Sequence, residues 1–263
     1  MCRLAVFPAR FSRKDAIEVL INFFGHNKDG TGSAYIKHGQ FVINKWPKSL
    51  DKVLKSEPSF LSHMPCDSLT IVHLRAASHG ATLKVNTHPF QVGNWCFAHN
   101  GIFSEYNIAR LALGKTIKLY GDTDSEVAAH LLNIAGPKKF TEEIDSSGVF
   151  LALNIDGSLW AMKTSGDLVF ATLKKSRILI ASELDCDKFG KQYEVVDGWY
   201  KFDKYGRYLK HKKKKSKWDN WMNDNEFGFS TPILRSNISR QDGVQPSYGY
   251  YNYMPGSRHY IME

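Results

Sequence analysis

Cysteine stands second in this chain, in Met1-Cys2-Arg3-Leu4-Ala5-Val6-Phe7. Loss of the initiator methionine ahead of a small residue would leave a thiol and a free α-amine on the same residue. A thiol with an ordinary pKa of about 8.5 becomes a strong nucleophile once deprotonated, and an α-amine near about 7.7–8.0 is a suitable base close to neutral pH. Position alone does not separate this from a small buried apolar residue opening a strand. Three polar blocks downstream bear on the choice. Arg75-Ala76-Ala77-Ser78-His79-Gly80 follows the apolar run 69–74, His99-Asn100-Gly101 follows 94–98, and Thr123-Asp124-Ser125-Glu126 precedes the apolar run 127–135. Polar residues just past a buried strand are well placed for chemistry. Each block also has a plainer reading: a surface arginine, an Asn-Gly turn, and a helix capping box of Thr123 and Glu126 that leaves Asp124 free.

The elements that must position these residues follow from local patterns. Residues 3–7 read as a short buried strand, and Ser12-Arg13-Lys14-Asp15 opens a helix in which Ile17, Leu20, Ile21 and Phe24 recur at helical spacing, ending near residues 25–27. Asp29-Gly30-Thr31-Gly32 leads into a hairpin of 33–37 and 40–46 across His38-Gly39, followed by a short helix at 50–55. Strands are expected at 69–74 and 94–98, a helix from Glu105 to Leu113, and a second helix over 127–135. From Gly148 the pattern changes to closely spaced strands at 149–155, 158–163, 168–172 and 177–181, with a last strand pair at 193–196 and 198–201. Early strands with helices, then a run of antiparallel strands, predict an α+β protein with sheets inside and helices outside.

Composition narrows the function class. The chain has 263 residues and a net charge of +9, and residues 200–263 carry twelve Lys/Arg against six Asp/Glu, so most of the basic excess lies in this last quarter. Cys2, Cys66, Cys96 and Cys186 lack the spacing of a zinc site, so no metal or cofactor is called for. No signal-peptide core and no run of about 18 apolar residues is present, and a reduced, cytoplasmic setting without membrane contact is expected.

Taken together, Cys2, the His-Leu-Arg-Ala-Ala-Ser-His-Gly block at 73–80, Ala98-His99-Asn100-Gly101 and Thr123-Asp124-Ser125-Glu126 resemble class II glutamine amidotransferases, members of the N-terminal nucleophile hydrolases. Asp29-Gly30-Thr31-Gly32 and the alanine at 76 are more similar to the stand-alone amidotransferase-like proteins than to the glucosamine-phosphate synthase type. The resemblance covers roughly residues 2–205. It implies a four-layer αββα sandwich and assigns roles. Cys2 would attack the side-chain amide of glutamine, with Asn100 and Gly101 as the oxyanion hole. Arg75 would hold the substrate α-carboxylate, Asp124 would pair with its α-ammonium, and Ser78 and His79 would supply supporting contacts. His73 and His99 are expected to pack rather than to react.

The expected organisation is an amidotransferase domain at 2–206 and a basic, aromatic-rich extension at 207–263, irregular or docked. The run 207–217 has no acidic residue and is followed by Trp218, Trp221, Phe227 and Phe229. Basic residues interleaved with aromatics can bind nucleic acid, but a solvated linker is the favoured reading. Three functions follow in order: release of ammonia from L-glutamine to a separate acceptor synthase, hydrolysis of a modified γ-glutamyl amide without ammonia transfer, and nucleic-acid binding through the basic run.

Overall fold

Alternation along the first strand sets the layers. In β1 (Arg3–Phe7) of the computed structural model, Leu4 and Val6 face one apolar cluster while Ala5 and Phe7 face another. The first cluster fills the gap between two sheets, and the second lies under helices on the outer face. Period-two side-chain direction thus lets one short apolar strand serve two cores. The residues described are 1–23, 27–114, 116–143, 146–184, 188–189 and 191–213.

Helix α1 (Arg13–Ile21) starts at Ser12, whose hydroxyl accepts from the Asp15 N–H at 3.0 Å. Strands β2 (Gly30–Lys37) and β3 (Gln40–Trp46) form the expected hairpin, turning on His38 and Gly39 with φ of 51° and 74°. Helix α2 (Leu50–Ser56) precedes β4 (Thr70–Arg75), and a 3-10 turn at Lys84–Asn86 leads to β5 (Phe90–Val92) and β6 (Trp95–Phe103). Helices α3 (Tyr106–Leu113) and α4 (Asp124–Glu143) follow, then β7 (Ser146–Asn154), β8 (Leu159–Lys163), β9 (Val169–Thr172), β10 (Ile178–Ala181), β11 (Gln192–Glu194), β12 (Gly198–Phe202) and β13 (Tyr208–Lys213).

The strands make a seven-stranded sheet, β11-β9-β10-β1-β4-β2-β3, and a six-stranded sheet, β13-β12-β8-β7-β6-β5. Their facing sides bury Leu4, Val6, Ile71, Ala98, Leu151 and Phe202. Helices α1 and α2 cover the seven-stranded sheet, and α3 and α4 cover the other through Phe97, Phe103, Val127, Leu132 and Phe150. This is the αββα arrangement that the resemblance implied.

Five details differ from the expectations. Residues 193–196 and 198–201 do not pair with each other: β11 joins β9 in one sheet, and β12 lies between β8 and β13 in the other. The Asn-Gly at 100–101 is not a turn past a strand end, because β6 continues through it in register with β7, Gly101 opposite Gly148. A Cβ on Gly101 would meet the Ser147 carbonyl oxygen at 2.0 Å, so glycine is what lets the two backbones run this close. The helix expected over 127–135 does break there, at Gly136 with φ of 76°, but a further turn resumes at Pro137 and runs to Glu143. Residues 208–213, placed in the extension by composition, form an edge strand with their backbone hydrogen bonds on β12. The first helix, expected to run to residues 25–27, ends at Ile21, where the N–H of its C-cap Asn22 bonds Leu20 O. Phe24 and the tail from 214 onward lie outside the described residues. No helix among the described residues is long and apolar enough to cross a membrane.

The strap carrying the 3-10 turn crosses the strand ends near β2. A Cβ on Gly32 would come within 1.9 Å of the His88 carbonyl oxygen, so the strap sits directly against that strand. His88 then stacks on His73 at 4.0 Å and meets Phe90 edge-on, while His99 stacks on Phe150 at 4.4 Å. All three imidazoles are buried. Burial lowers His73 to about 3 and His99 to about 4, and pushes His88 well below its ordinary value. The folded chain therefore keeps them neutral while the unfolded chain protonates them below about pH 6.5, so stability is fully present above that pH and is lost as pH falls toward 4. Each histidine contributes a slope of up to about 1.4 kcal/mol per pH unit. Denaturant midpoints measured from pH 7 to pH 4 are expected to fall steeply across this window, and His88→Phe to flatten the decline. A midpoint independent of pH over this range would exclude the assignment.

Candidate active site

Cys2 lies where β1 begins, beside the end of β4, because antiparallel pairing puts Arg3 opposite Leu74. Its Sγ is 3.4 Å from both the N–H and the carbonyl oxygen of Ala76, the first residue of the loop after β4. Burial pushes the thiol above its ordinary value. The Ala76 N–H, the chain's amino terminus and Arg75 pull it down, and the Asp124 carboxylate pushes it up again. The thiol therefore feels both charged residues that the sequence singled out. The amino terminus here is that of Met1, whose carbonyl accepts from the Asn27 amide at 2.9 Å; the same amide donates to Leu74 O at 3.1 Å.

Arg75 ends β4 almost wholly buried, at 2% exposure. Its guanidinium donates to the carbonyls of His79 (2.6 Å), Gly80 (3.0 Å) and Ala81 (3.0 Å), folding the loop around itself. Asp29 fastens the same loop: it accepts from the Ala77 N–H at 2.8 Å, while its own N–H donates to Arg75 O at 3.1 Å. Ser78 and His79 are exposed at the loop tip and lie 3.4 Å from each other, Oγ to Nδ1. Their side chains make no hydrogen bond to Cys2 or Arg75 among the described residues.

Asn100 and Gly101 reach the site on β6, which packs against β1 across the gap between the sheets. His73 Nε2 bonds the carbonyl of His99 at 3.1 Å, tying the strand that carries Arg75 to the strand that carries Asn100. Both imidazoles are buried, His73 stacked on His88 and His99 on Phe150. Asn100 is 8% exposed, and its amide makes no hydrogen bond among the described residues. Asp124 opens α4. Its carboxylate accepts from the Phe103 N–H at 3.1 Å and from the Ser125 hydroxyl at 3.2 Å, and Ser125 Oγ lies 3.2 Å from His99 Nδ1. Only half of the capping box forms: Thr123 Oγ1 accepts from the Glu126 N–H at 3.3 Å, whereas Glu126 turns back to the N–H groups of Tyr120 and Gly121, both at 2.8 Å.

Cys2, Arg75, Asn100, Gly101 and Asp124 thus converge at one end of the sandwich, and the side chains of Ser78 and His79 stand at its exposed margin. Asn27 and Asp29 were missed as parts of this site. Asn27 lies where the first helix was expected to end, and Asp29 beside Gly30 reads first as turn chemistry, so neither residue announced a contact with the site. Among the described residues no group of His, Cys, Asp and Glu could hold a metal ion.

The family described as Glutamine amidotransferases class-II matches residues 22–176, a span that holds Arg75, Asn100, Gly101 and Asp124 but not Cys2. The glutamine–fructose-6-phosphate aminotransferase of Francisella tularensis is 35% identical over 88 residues, covering 32% of this chain and 14% of its own. An uncharacterized protein of Methanocaldococcus jannaschii is 29% identical over 177 residues, covering 61% of this chain and 48% of its own. The chain therefore spans less than half the length of these curated relatives. In fold it matches the glutamine phosphoribosylpyrophosphate amidotransferase of B. subtilis, with a TM-score of 0.63 at 16% identity over 81% of this chain and 49% of that one. It also matches a glutamine aminotransferase class-II domain protein of Silicibacter pomeroyi, with a TM-score of 0.51 at 13% identity over 82% of this chain and 100% of that one. With the family match extending over more than half of its residues, the chain belongs to the class II glutamine amidotransferases.

Proposed function

We propose that this chain carries out the glutaminase half-reaction, with Cys2 as nucleophile after Met1 is removed. The observation that supports this reading most strongly is the Cys2 thiol held at the Ala76 backbone while within the fields of Arg75 and Asp124. The freed α-amine takes the thiol proton, and the thiolate attacks the δ-carbon of glutamine. Negative charge develops on the amide oxygen, where the Asn100 amide and the Gly101 N–H stabilise it. Collapse expels ammonia, protonated by the α-ammonium, and leaves a γ-glutamyl thioester. Water cleaves the thioester to glutamate and regenerates the thiol.

Asp124 would read the substrate α-ammonium and Arg75 its α-carboxylate. Arg75 holds loop carbonyls in the free protein, and a carboxylate is the stronger acceptor because it brings a full opposite charge and two oxygens that match the guanidinium fork. Substrate would therefore exchange with one of these carbonyls and draw the 76–81 loop with it. Ser78 and His79 would then contribute supporting contacts. Ammonia would pass to a separate acceptor synthase, and a reducing cytoplasm would suit the free thiol.

The discriminating experiment compares glutamate release from free glutamine and from γ-glutamyl amides bearing larger amine groups, using protein whose intact mass shows loss of Met1. Faster turnover of glutamine, with stoichiometric ammonia, is expected. Turnover confined to the larger amides would replace this reading with that of a γ-glutamyl amide hydrolase.

A further inference from the structure

At the end of the sandwich away from Cys2, three turns from both sheets meet. They follow β1 at Arg10, join β9 to β10 through Lys174, Lys175 and Arg177, and join β12 to β13 through Tyr205 and Arg207. Between them is a half-open cleft of about 470 Å³. The turns are fastened together: the Ile178 N–H donates to Gly206 O at 2.8 Å, Arg177 and Arg207 form an isolated bridge, and Arg177 Nη1 donates to Ala9 O.

Charge here is one-sided. Five cations line the cleft, and two of them are paired, Arg10 with Asp67 at 2.8 Å and Arg207 with Asp203 at 2.7 Å. Five cations against two carboxylates leave an excess of three positive charges. Among the described residues Lys174, Lys175 and Arg177 make no ion pair, and both lysines are exposed. Clustering like charges in one concavity is unfavourable unless an anion joins them. The backbone adds a second observation. Of the five non-glycine residues with positive φ among the described residues, three lie in these turns: Arg10 (62°), Lys175 (62°) and Ser176 (55°). Residues other than glycine hold this conformation at a cost, and such strain gathers where side chains must be aimed.

We propose that the cleft binds a small ligand carrying two or three linked phosphate groups, such as pyrophosphate or a nucleoside triphosphate. Lysine point charges and the arginine fork suit phosphate oxygens. The volume is that of a small-molecule site. One aromatic ring lines it, Tyr205, with Lys204 Nζ and the Arg207 guanidinium each 5.2 Å from the ring centre. A nucleic-acid strand would call instead for a groove with successive stacking rings. This inference is independent of the glutamine reading.

The test is calorimetric titration of the full chain with pyrophosphate, ATP and a single-stranded twelve-nucleotide DNA. Variants are Lys174→Ala/Lys175→Gly, which removes two of the three unpaired cations and keeps the left-handed turn, and Lys214→Ala/Lys215→Ala in the basic run beyond β13. Saturable binding of pyrophosphate or ATP is expected, weakened at least about tenfold in the first variant and unchanged in the second. Matched thermal unfolding without ligand would show that the first variant is folded. The proposal is overturned by absence of saturable binding, by equal affinity in the first variant, by loss in the second variant alone, or by tighter binding of the oligonucleotide than of ATP.

Discussion

Replacing Cys2 by alanine is expected to lower glutamine hydrolysis by at least about 10³-fold, because removing the nucleophile of a unit that acts together removes nearly all covalent catalysis. The thermal midpoint should move little, since Cys2 is half-buried and among the described residues its Sγ hydrogen-bonds to the Ala76 backbone alone. Cys2→Ser should also be much slower, because a hydroxyl is a far weaker nucleophile than a thiolate and a site shaped for sulfur does not align the shorter Oγ with the amide carbon. Adding a residue ahead of Cys2, so that the α-amine is displaced, should silence the enzyme while the thiol remains. That variant separates the proposed base from the nucleophile. The residual thiol, raised by burial, would stay protonated at neutral pH. Steady-state glutamate release, with intact mass recorded for each protein, checks all three. Activity retained by the Cys2→Ala protein would remove the basis of the mechanism.

The second large effect is expected at Asn100. Its amide is 8% exposed and has no hydrogen-bond partner among the described residues, so in the free protein it is available to a developing oxyanion. Asn100→Ala should lower kcat by about 10²–10³-fold with little change in KM, the result of losing a donor that acts mainly in the transition state. Asn100→Asp should be at least as slow, because it places a negative charge beside the oxyanion. A rise in KM with kcat preserved would instead make Asn100 a ground-state contact. The neighbouring glycine cannot be tested in the same way: Gly101→Ala would force β6 away from the Ser147 carbonyl, which lies 2.0 Å from the new Cβ, so its loss of activity would mix folding with chemistry.

Much of the αββα frame could be read locally. Apolar runs at 3–7 and 69–74 and the His38-Gly39 turn state their own structure, because burial on both faces and turn geometry are encoded within a few residues. Sheet membership could not be read this way. β11 and β12 are separated by only three residues and look like a hairpin, yet they belong to different sheets, since pairing is decided by long-range partners. Composition hid β13: its lysines suit an edge strand as well as a tail, and its β12 partner supplies the order. The site shows the same division. Of the residues singled out at 2, 75, 100, 101 and 124, the fold sets Cys2 within the fields of Arg75 and Asp124 and carries Asn100 and Gly101 on β6, which packs against β1. The hold of Arg75 on carbonyls 79–81, and the roles of Asn27 and Asp29 around the nucleophile, depend on loop conformation and had no signature of their own.

The most direct measurement is peptide mapping after incubation with a γ-diazoketone analogue of glutamine, which alkylates the nucleophile that attacks its electrophilic carbon. One adduct per chain is expected, on the thiol of an amino-terminal Cys2 lacking Met1, with labelling prevented by excess glutamine. Labelling of Cys66 or Cys96 instead, or no adduct on a chain whose Met1 is shown to be absent, would contradict it.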